Sequence, residues 1–189
     1  TAAQAEEPAP VRSSAPTYAT QAALVLSGTS TMVVGGTQTL TATGGSLTDG
    51  VVTYSTSTSS VCTVSSVGLV TALTTGICSA SATKAGGGGW APVTSNTYSI
   101  TVGKKAQSAL TLAVTTASLP ATETSTTTVS GGSGTGAITY ASDATNVCTV
   151  STTGVITGVA VGTCKITATK AADASNLEIS SAEIGRAHV

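Results

Sequence analysis

One segment of this chain occurs twice in related form, and this repeat constrains the fold more than any other feature. Residues 61–85 read VCTVSSVGLVTALTTGICSASATKA, and residues 147–171 read VCTVSTTGVITGVAVGTCKITATKA. The two segments align without a gap at a constant offset of 86 residues, so that both cysteines and both glycines of the pattern recur. A repeat of this kind is typical of tandem copies of one small domain. The sequence therefore predicts two copies of one fold.

The repeat also predicts where each domain begins and ends. We expect the first copy to span residues 21–102 and the second residues 110–183, with residues 103–109 (GKKAQSA) as a short polar linker. Residues 1–20 are interpreted as the tail of a preceding copy, because their Ala-Pro-Val motif matches the one at 91–93. A plain polar linker is the alternative for residues 1–20, since matches this short also arise by chance.

The C-terminal residues are interpreted as foreign to the domain. Residues 184–189, IGRAHV, match the translation of a widely used sequencing adapter, and we expect them to be an artefact. The second copy is then predicted to lack its last strand, the counterpart of residues 97–102. This interpretation also removes the one histidine of the chain, His188, from functional consideration.

Composition and periodicity predict an all-β fold. Charged residues make up 8% of the chain, against about 25% in ordinary domains, and Thr, Ser and Gly supply most of the polar surface. Short alternating runs bounded by Gly and Ser predict seven strands in the first copy, at 24–26, 37–43, 51–55, 61–65, 69–72, 77–83 and 97–102. This number and spacing indicate immunoglobulin-like β-sandwich domains, which we expect to form an extended array.

The four cysteines are expected to form one disulfide bridge in each copy. Four cysteines permit three pairings, but the repeat selects Cys62–Cys78 and Cys148–Cys164. Each cysteine falls on the apolar face of its strand, where a bridge would be buried. Buried free thiols are the main alternative, and a metal site is disfavoured because no C-x₂-C pair or suitable histidine is present. Structural disulfides predict a secreted or cell-surface protein.

Several function classes are disfavoured by the sequence. A net charge of −1 without a basic run argues against nucleic-acid binding, and no apolar run approaches the roughly 20 residues of a membrane span. Hydrolysis needs a nucleophile beside a base, or paired carboxylates, and the acidic residues are scattered. We therefore expect no catalytic residue, no cofactor and no metal site.

Two short motifs are interpreted as turns. Residues 132–137, GSGTGA, fit the dinucleotide-binding pattern G-x-G-x-x-A, but a strand-like segment follows where that fold requires a helix. Asp173 with Asn176 is the nearest candidate for a calcium site, but calcium requires several converging carboxylates and carbonyls. The first copy has glycine in place of Asp173, so no site is predicted there.

Trp90 is the one residue that suggests ligand binding. It follows the four glycines 86–89, and an exposed indole on such a loop would stack on a sugar ring. The alternative is that Trp90 folds back over the end of the sandwich, as Leu177 would in the second copy.

Two glycine-containing segments in each copy resemble the signature of bacterial immunoglobulin-like repeats of the invasin and intimin type. They are residues 68–72 (GLVTA) with 76–82 (GICSASA) in the first copy, and 154–158 (GVITG) with 162–168 (GTCKITA) in the second. The resemblance implies β-sandwich modules that act as non-catalytic stalks of secreted or surface-anchored adhesins, and cysteine pairs occur in a subset of such repeats. The implied partners are neighbouring repeats of the same chain, and host-surface or extracellular polysaccharide ligands. The alternative is a carbohydrate-binding or spacer module of a secreted polysaccharide-degrading enzyme.

Overall fold

The computed structural model describes residues 17–116 and 118–188, and within these ranges the chain forms strands and no helix. The all-β prediction is therefore confirmed. The buried hydrophobic side chains fall into two clusters, one formed by residues between Leu24 and Val102 and one by residues between Leu110 and Ala168. Most of the segment interpreted as the tail of a preceding copy, residues 1–16, lies outside the described residues.

The first domain is a sandwich of two layers. One layer consists of the pair β1-β4 and the three strands β3-β7-β6, and the other has the order β2-β10-β8-β5, with β9 paired to β8. Leu40 separates β3 from β4, which the sequence predicted as one strand. The strand bounds are β1 Leu24–Ser27, β2 Thr31–Val33, β3 Thr37–Thr39, β4 Thr41–Gly44, β5 Val52–Thr56, β6 Cys62–Val64, β7 Leu69–Ala72, β8 Gly76–Lys84, β9 Val93–Thr94 and β10 Tyr98–Gly103.

The second domain has the same topology. One sheet has the order β11-β13-β16-β15 and the other the order β12-β19-β17-β14, with β18 paired to β17. The continuous strand β13 takes the place of β3 and β4. The strand bounds are β11 Leu110–Val114, β12 Ser118–Leu119, β13 Thr124–Gly131, β14 Ile138–Ser142, β15 Cys148–Val150, β16 Val155–Gly158, β17 Gly162–Lys170, β18 Ile179–Ser180 and β19 Ile184–His188.

Strand β19 corrects the prediction that the second copy lacks its last strand. It pairs antiparallel with β17, from Ile166↔Ile184 to Gly162↔His188, and parallel with β12, which is how β10 pairs with β8 and β2 in the first domain. The sequence prediction failed because strand pairing uses backbone N–H and C=O groups, which any segment without proline supplies. Ile184 also packs against the hydrophobic core. The origin of residues 184–189 remains a prediction.

The two domains differ in length only within loops. Leu24 pairs with Gly44 in the first domain, whereas its counterpart Leu110 pairs with Gly131, so the second domain has one more residue in this part. The register returns to the 86-residue offset at Tyr54 and Tyr140, after the loop that precedes β5 and β14. The half of the domain that holds the cysteines keeps this offset throughout.

The core of each sandwich combines leucine, isoleucine and valine side chains with alanines and the bridged cysteines. On β8, burial alternates along the strand, and Cys78, Ala80 and Ala82 are all buried. The turn between β6 and β7 needs a glycine at Gly68, where φ is 85°, because a Cβ there would lie 2.7 Å from the Leu40 carbonyl oxygen and 3.0 Å from the Tyr54 ring. The second domain repeats this close approach between Gly154 and Tyr140.

Candidate functional site

The two disulfide bridges lie inside the sandwiches and join their layers. Cys62 on β6 is bonded to Cys78 on β8, and Cys148 on β15 is bonded to Cys164 on β17, with Cα–Cα distances of 5.6 and 6.1 Å. All four cysteines are at most 1% exposed. Because a reductant or a partner thiol would have to enter the core to reach them, these bridges are built for structure rather than for redox exchange.

A buried glutamine closes one end of each domain, and sequence reasoning missed its role. Gln21 is 5% exposed, and its Nε2 donates to the carbonyl oxygens of Ala85 and Ala91 at 3.1 and 2.8 Å. Its Oε1 accepts a hydrogen bond from the Leu47 backbone N–H. One side chain thus joins the entering chain to two loops of the sandwich.

The second domain repeats this arrangement with Gln107. Its Nε2 donates to the carbonyl oxygens of Ala171 and Leu177, and its Oε1 accepts from the Gly134 N–H at 2.8 Å. The signal was present in the sequence, because QAAL at 21–24 recurs as QSAL at 107–110. From sequence alone, a polar residue at a domain boundary is assigned to the linker, because its buried hydrogen-bond partners are visible only in the structure.

The loop that carries Trp90 is held against the entering chain. The Ala19 N–H donates to the Gly89 carbonyl oxygen at 2.8 Å, and the Ala91 N–H donates to the Ala19 carbonyl oxygen at 2.9 Å. Gly87 and Trp90 exchange a pair of backbone hydrogen bonds of 3.0 and 2.9 Å, which closes a tight turn. Gly88 and Gly89 inside this turn have φ values of 55° and 87°, a conformation that favours glycine.

These contacts create a shallow cleft of about 390 Å³ at the end of the first domain. Tyr18 is 56% exposed and Trp90 is partly exposed. Trp90 does not belong to the hydrophobic cluster of this domain or to the side chains packed against it, as far as the chain is described. Leu177, the alternative cover for the end of the second domain, is 50% exposed. The cleft is lined by Tyr18, Gly86, Gly87, Trp90, Ala91 and Pro92.

The corresponding loop of the second domain is held by a carboxylate instead. Asp173 accepts hydrogen bonds from the backbone N–H groups of Thr135, Ser175 and Asn176, at 2.7, 2.8 and 2.8 Å. The Asn176 side-chain amide also donates to both carboxylate oxygens. These donors, with the Thr135 N–H contributing most, hold the pKa of Asp173 well below its usual range. Asn176 takes the place of Trp90, so this end of the second domain presents no aromatic ring.

The same geometry bears on the calcium candidate. The structure brings Asp173 and Asn176 together, but the groups that face the carboxylate are N–H donors, which occupy the lone pairs that a cation would need. Within the described residues no group of three metal-ligating side chains occurs. The arrangement is that of a carboxylate-stabilised turn.

The other sequence motif is also placed by the structure. Residues 132–137 run directly into strand β14, so the helix required by a dinucleotide fingerprint does not follow. The Gly134 N–H instead binds Gln107. In the described part of the chain, no helix has the length and apolar character that crossing a bilayer requires.

Comparisons with known proteins find solved structures of low similarity and no related sequence. No family model and no curated protein sequence matches it. Among solved structures, it is similar to the S-layer protein rSbsC(31-844), with 24% identity over 91% of this chain and a TM-score of 0.36. It is also similar to the structure of domains 4 and 5 of the S-layer protein SbsC, with 21% identity and a TM-score of 0.36. That match covers 90% of this chain and 100% of the other. The fibronectin(III)-like modules of Clostridium thermocellum CbhA match at 14% identity over 87% of this chain and 94% of that one, with a TM-score of 0.33. The chain spans 28% of the rSbsC structure, and at these identities the similarity concerns the fold alone.

Proposed function

We propose that these domains are non-catalytic spacer modules that resist tension in a secreted or surface-anchored bacterial protein, of the kind that forms an adhesin stalk. Their partners in this role are the neighbouring domains of the same chain. The features that both domains share support this proposal, because the cross-sheet bridge, the buried glutamine and the turn glycines all stabilise the sandwich. None of these shared features places a nucleophile beside a base.

The observation that carries the proposal is the parallel pairing of β2, the second strand, with β10, the last strand of the first domain. In the first domain, β2 near the start runs parallel to β10 at the end, with Thr101↔Thr31, Val102↔Met32 and Gly103↔Val33 in register. The Thr101 N–H donates to the Ser30 carbonyl oxygen at 2.8 Å, and the Val34 N–H donates to the Gly103 carbonyl oxygen at 3.0 Å. Tension applied at the two ends of parallel strands acts along them, so these hydrogen bonds share the load instead of opening one at a time.

The disulfide limits how far each domain extends after it yields. Each bridge closes a segment of 16 residues between the two layers. Since an extended residue spans about 3.5 Å, the bridge withholds about 50 Å of chain per domain. The bridge therefore shortens the extension of an unfolded domain by this length.

Single-molecule force spectroscopy of the full chain, pulled from its two ends, tests the mechanical role. We expect two unfolding events, and a contour-length gain per event that rises by about 50 Å when reductant is added. The variant Val34→Pro removes the donor to Gly103 at a turn position that accepts proline, so it should lower the unfolding force of the first domain. Ser66→Pro, in the turn between β6 and β7, is the matched control and should leave that force unchanged.

The proposal is wrong if the first domain yields at the same force with and without the Val34 N–H. It is also wrong if the unfolding force is unmeasurably low in the oxidised wild-type chain, because a spacer with no resistance cannot hold a distant domain in place.

A further inference from the structure

We propose that the cleft between Tyr18 and Trp90 is a binding site for a neutral carbohydrate, with the two aromatic side chains as the stacking platform. This inference is independent of the mechanical role, since it concerns one end of the first domain and neither β2 nor β10. It depends on three properties of the cleft: the exposure of its aromatic side chains, the chemistry of its lining and its absence from the second domain.

Tyr18 is exposed and Trp90 is partly exposed, and neither side chain belongs to the hydrophobic core of the first domain. The chain has one Trp and four Tyr residues, and Tyr54, Tyr98 and Tyr140 pack against the two cores. Tyr18 and Trp90 remain, and the backbone bridge between Ala19 and Trp90 brings them to the same cleft. Because aromatic surface in contact with water is unfavourable, the exposed Tyr18 ring and the accessible part of Trp90 favour a ligand with an apolar face.

The second domain shows that the fold forms without these rings. The positions equivalent to Tyr18 and Trp90 are Lys104 and Asn176, and the backbone pairing is preserved by the Lys105 N–H to the Ser175 carbonyl oxygen at 2.9 Å. Asp173 stabilises that loop, whereas the first domain uses glycine there. The aromatic pair is therefore a specialisation of one domain on a shared scaffold.

The lining favours a neutral sugar over other ligands. Among the described residues no charged side chain lines the cleft, so neither an anion nor a cation would find a counter-charge there. A volume of about 390 Å³ is at the small-ligand scale, whereas a stable protein interface buries at least about 1,000 Å². A pyranose ring combines an apolar C–H face, which stacks on an indole, with hydroxyl groups at its edge. The Tyr18 hydroxyl and the backbone of Gly86, which carries no side chain, offer polar groups at the cleft.

The single tryptophan makes the proposal directly measurable. Titration of the full chain with cellohexaose, maltohexaose or chitohexaose should change the fluorescence of Trp90 in a saturable way for at least one of them. Tyr18→Ala leaves the reporter in place and should weaken that binding about tenfold, corresponding to a loss of about 1.4 kcal/mol. Tyr18→Phe keeps the stacking face and should retain most of the affinity. In calorimetry, Trp90→Ala should abolish the binding heat.

Controls separate the site from general effects. Leu177→Ala alters the exposed residue at the equivalent loop of the second domain and should leave binding unchanged. A charged oligogalacturonate should bind more weakly than the neutral sugars. The unfolding midpoint of each variant shows that the domain is intact, and the force measurements above are unaffected by either result.

Two outcomes overturn the proposal. The first is the absence of any saturable response to the neutral oligosaccharides, or a response that is equal in wild type and Tyr18→Ala. The second is a shift of the Trp90 emission when residues 1–16 are deleted and no sugar is present, together with no response to sugar in either the full or the shortened chain. This second result would assign the cleft to the chain's own N-terminal segment.

Discussion

The Gln21 amide nitrogen lies 2.8 Å from the Ala91 carbonyl oxygen, a partner 70 residues further along the chain. The second domain has the same relationship between Gln107 and Leu177, at 2.7 Å. In both domains the residue that enters the sandwich is tied to a loop that precedes its last strand. The segment that leads into each domain is therefore part of that domain's hydrogen-bonded structure.

Replacement of Gln21 by Leu should destabilise the first domain by about 2–4 kcal/mol, because two carbonyl groups and one N–H lose their partner at a largely buried site. Urea unfolding followed by Trp90 fluorescence reports this domain. Gln107→Leu is the matched variant, and it should lower the stability of the second domain while leaving the Trp90-detected transition in place. Equal effects of both variants on that transition would contradict this assignment.

Removal of the first bridge by Cys62→Ala with Cys78→Ala should cost the first domain about 3 kcal/mol for the lost cross-link, and somewhat more for the smaller side chains in the core. The measurement is urea unfolding detected by Trp90 fluorescence. The double variant at Cys148 and Cys164 is the control, since its effect should appear in circular dichroism and not in the Trp90 signal. An unchanged midpoint in the first variant would show that the bridge adds no stability.

Replacement of Thr122 by Gly should stabilise the second domain by about 0.5–1 kcal/mol. Thr122 has a φ of 71°, a left-handed conformation that costs a β-branched residue about 1–2 kcal/mol, partly offset by the entropy of glycine in the unfolded chain. The first domain has Gly35 at this position, with a φ of 81° and no atom within 4 Å of an added Cβ. Gly35→Thr should therefore destabilise the first domain by backbone strain alone. Thermal unfolding of both variants measures the pair, and effects of the same sign would contradict the argument.

The Asp173 turn should make the second domain sensitive to acid. Because its folded pKa lies below the unfolded value of about 3.9, the stabilisation is fully present above that value and is lost as the pH falls further. Asp173→Asn should reduce stability at neutral pH and flatten its dependence below about pH 4. Hydrogen exchange of residues 171–177 between pH 2 and 7 would detect this, with the glycine loop at 85–91 as the internal control. A variant as acid-sensitive as wild type would rule out Asp173 as the source.

The predictable part of the fold was the part governed by periodicity. Alternation along residues 77–83 identified the buried face of β8, and the recurrence of Cys62 and Cys78 identified a bridge within each domain, which the structure contains. Strands β2 and β9 have three and two residues, which is too few for an alternation of apolar and polar residues to be recognised in the sequence. Strand β19 escaped prediction because its pairing depends on backbone groups and on the edge that β17 offers.

The candidate site was only partly predictable. The glycines before Trp90 identified an unusual loop, but the contribution of Tyr18 depends on the bridge between Ala19 and Trp90, which joins residues distant in sequence. Gln21 was visible only as one letter of a repeated motif. Its structural role depends on its burial, and burial of a polar residue within a polar segment is not predicted by the sequence pattern.

Each domain has one part of constant length and one part whose length varies. The half that holds the cysteines keeps the 86-residue offset, whereas the register is shifted by one residue at Gly44 and Gly131. A residue gained in the connection before β12 is removed again before β14, and every later cross-strand pair returns to its place. Foreign peptides are therefore best inserted into the connection before β12, which has already absorbed a change of length, and not into the connection before β14, which holds the N–H partners of Gln107 and Asp173. Residues 61–85 are the part to leave untouched in such an engineered display protein.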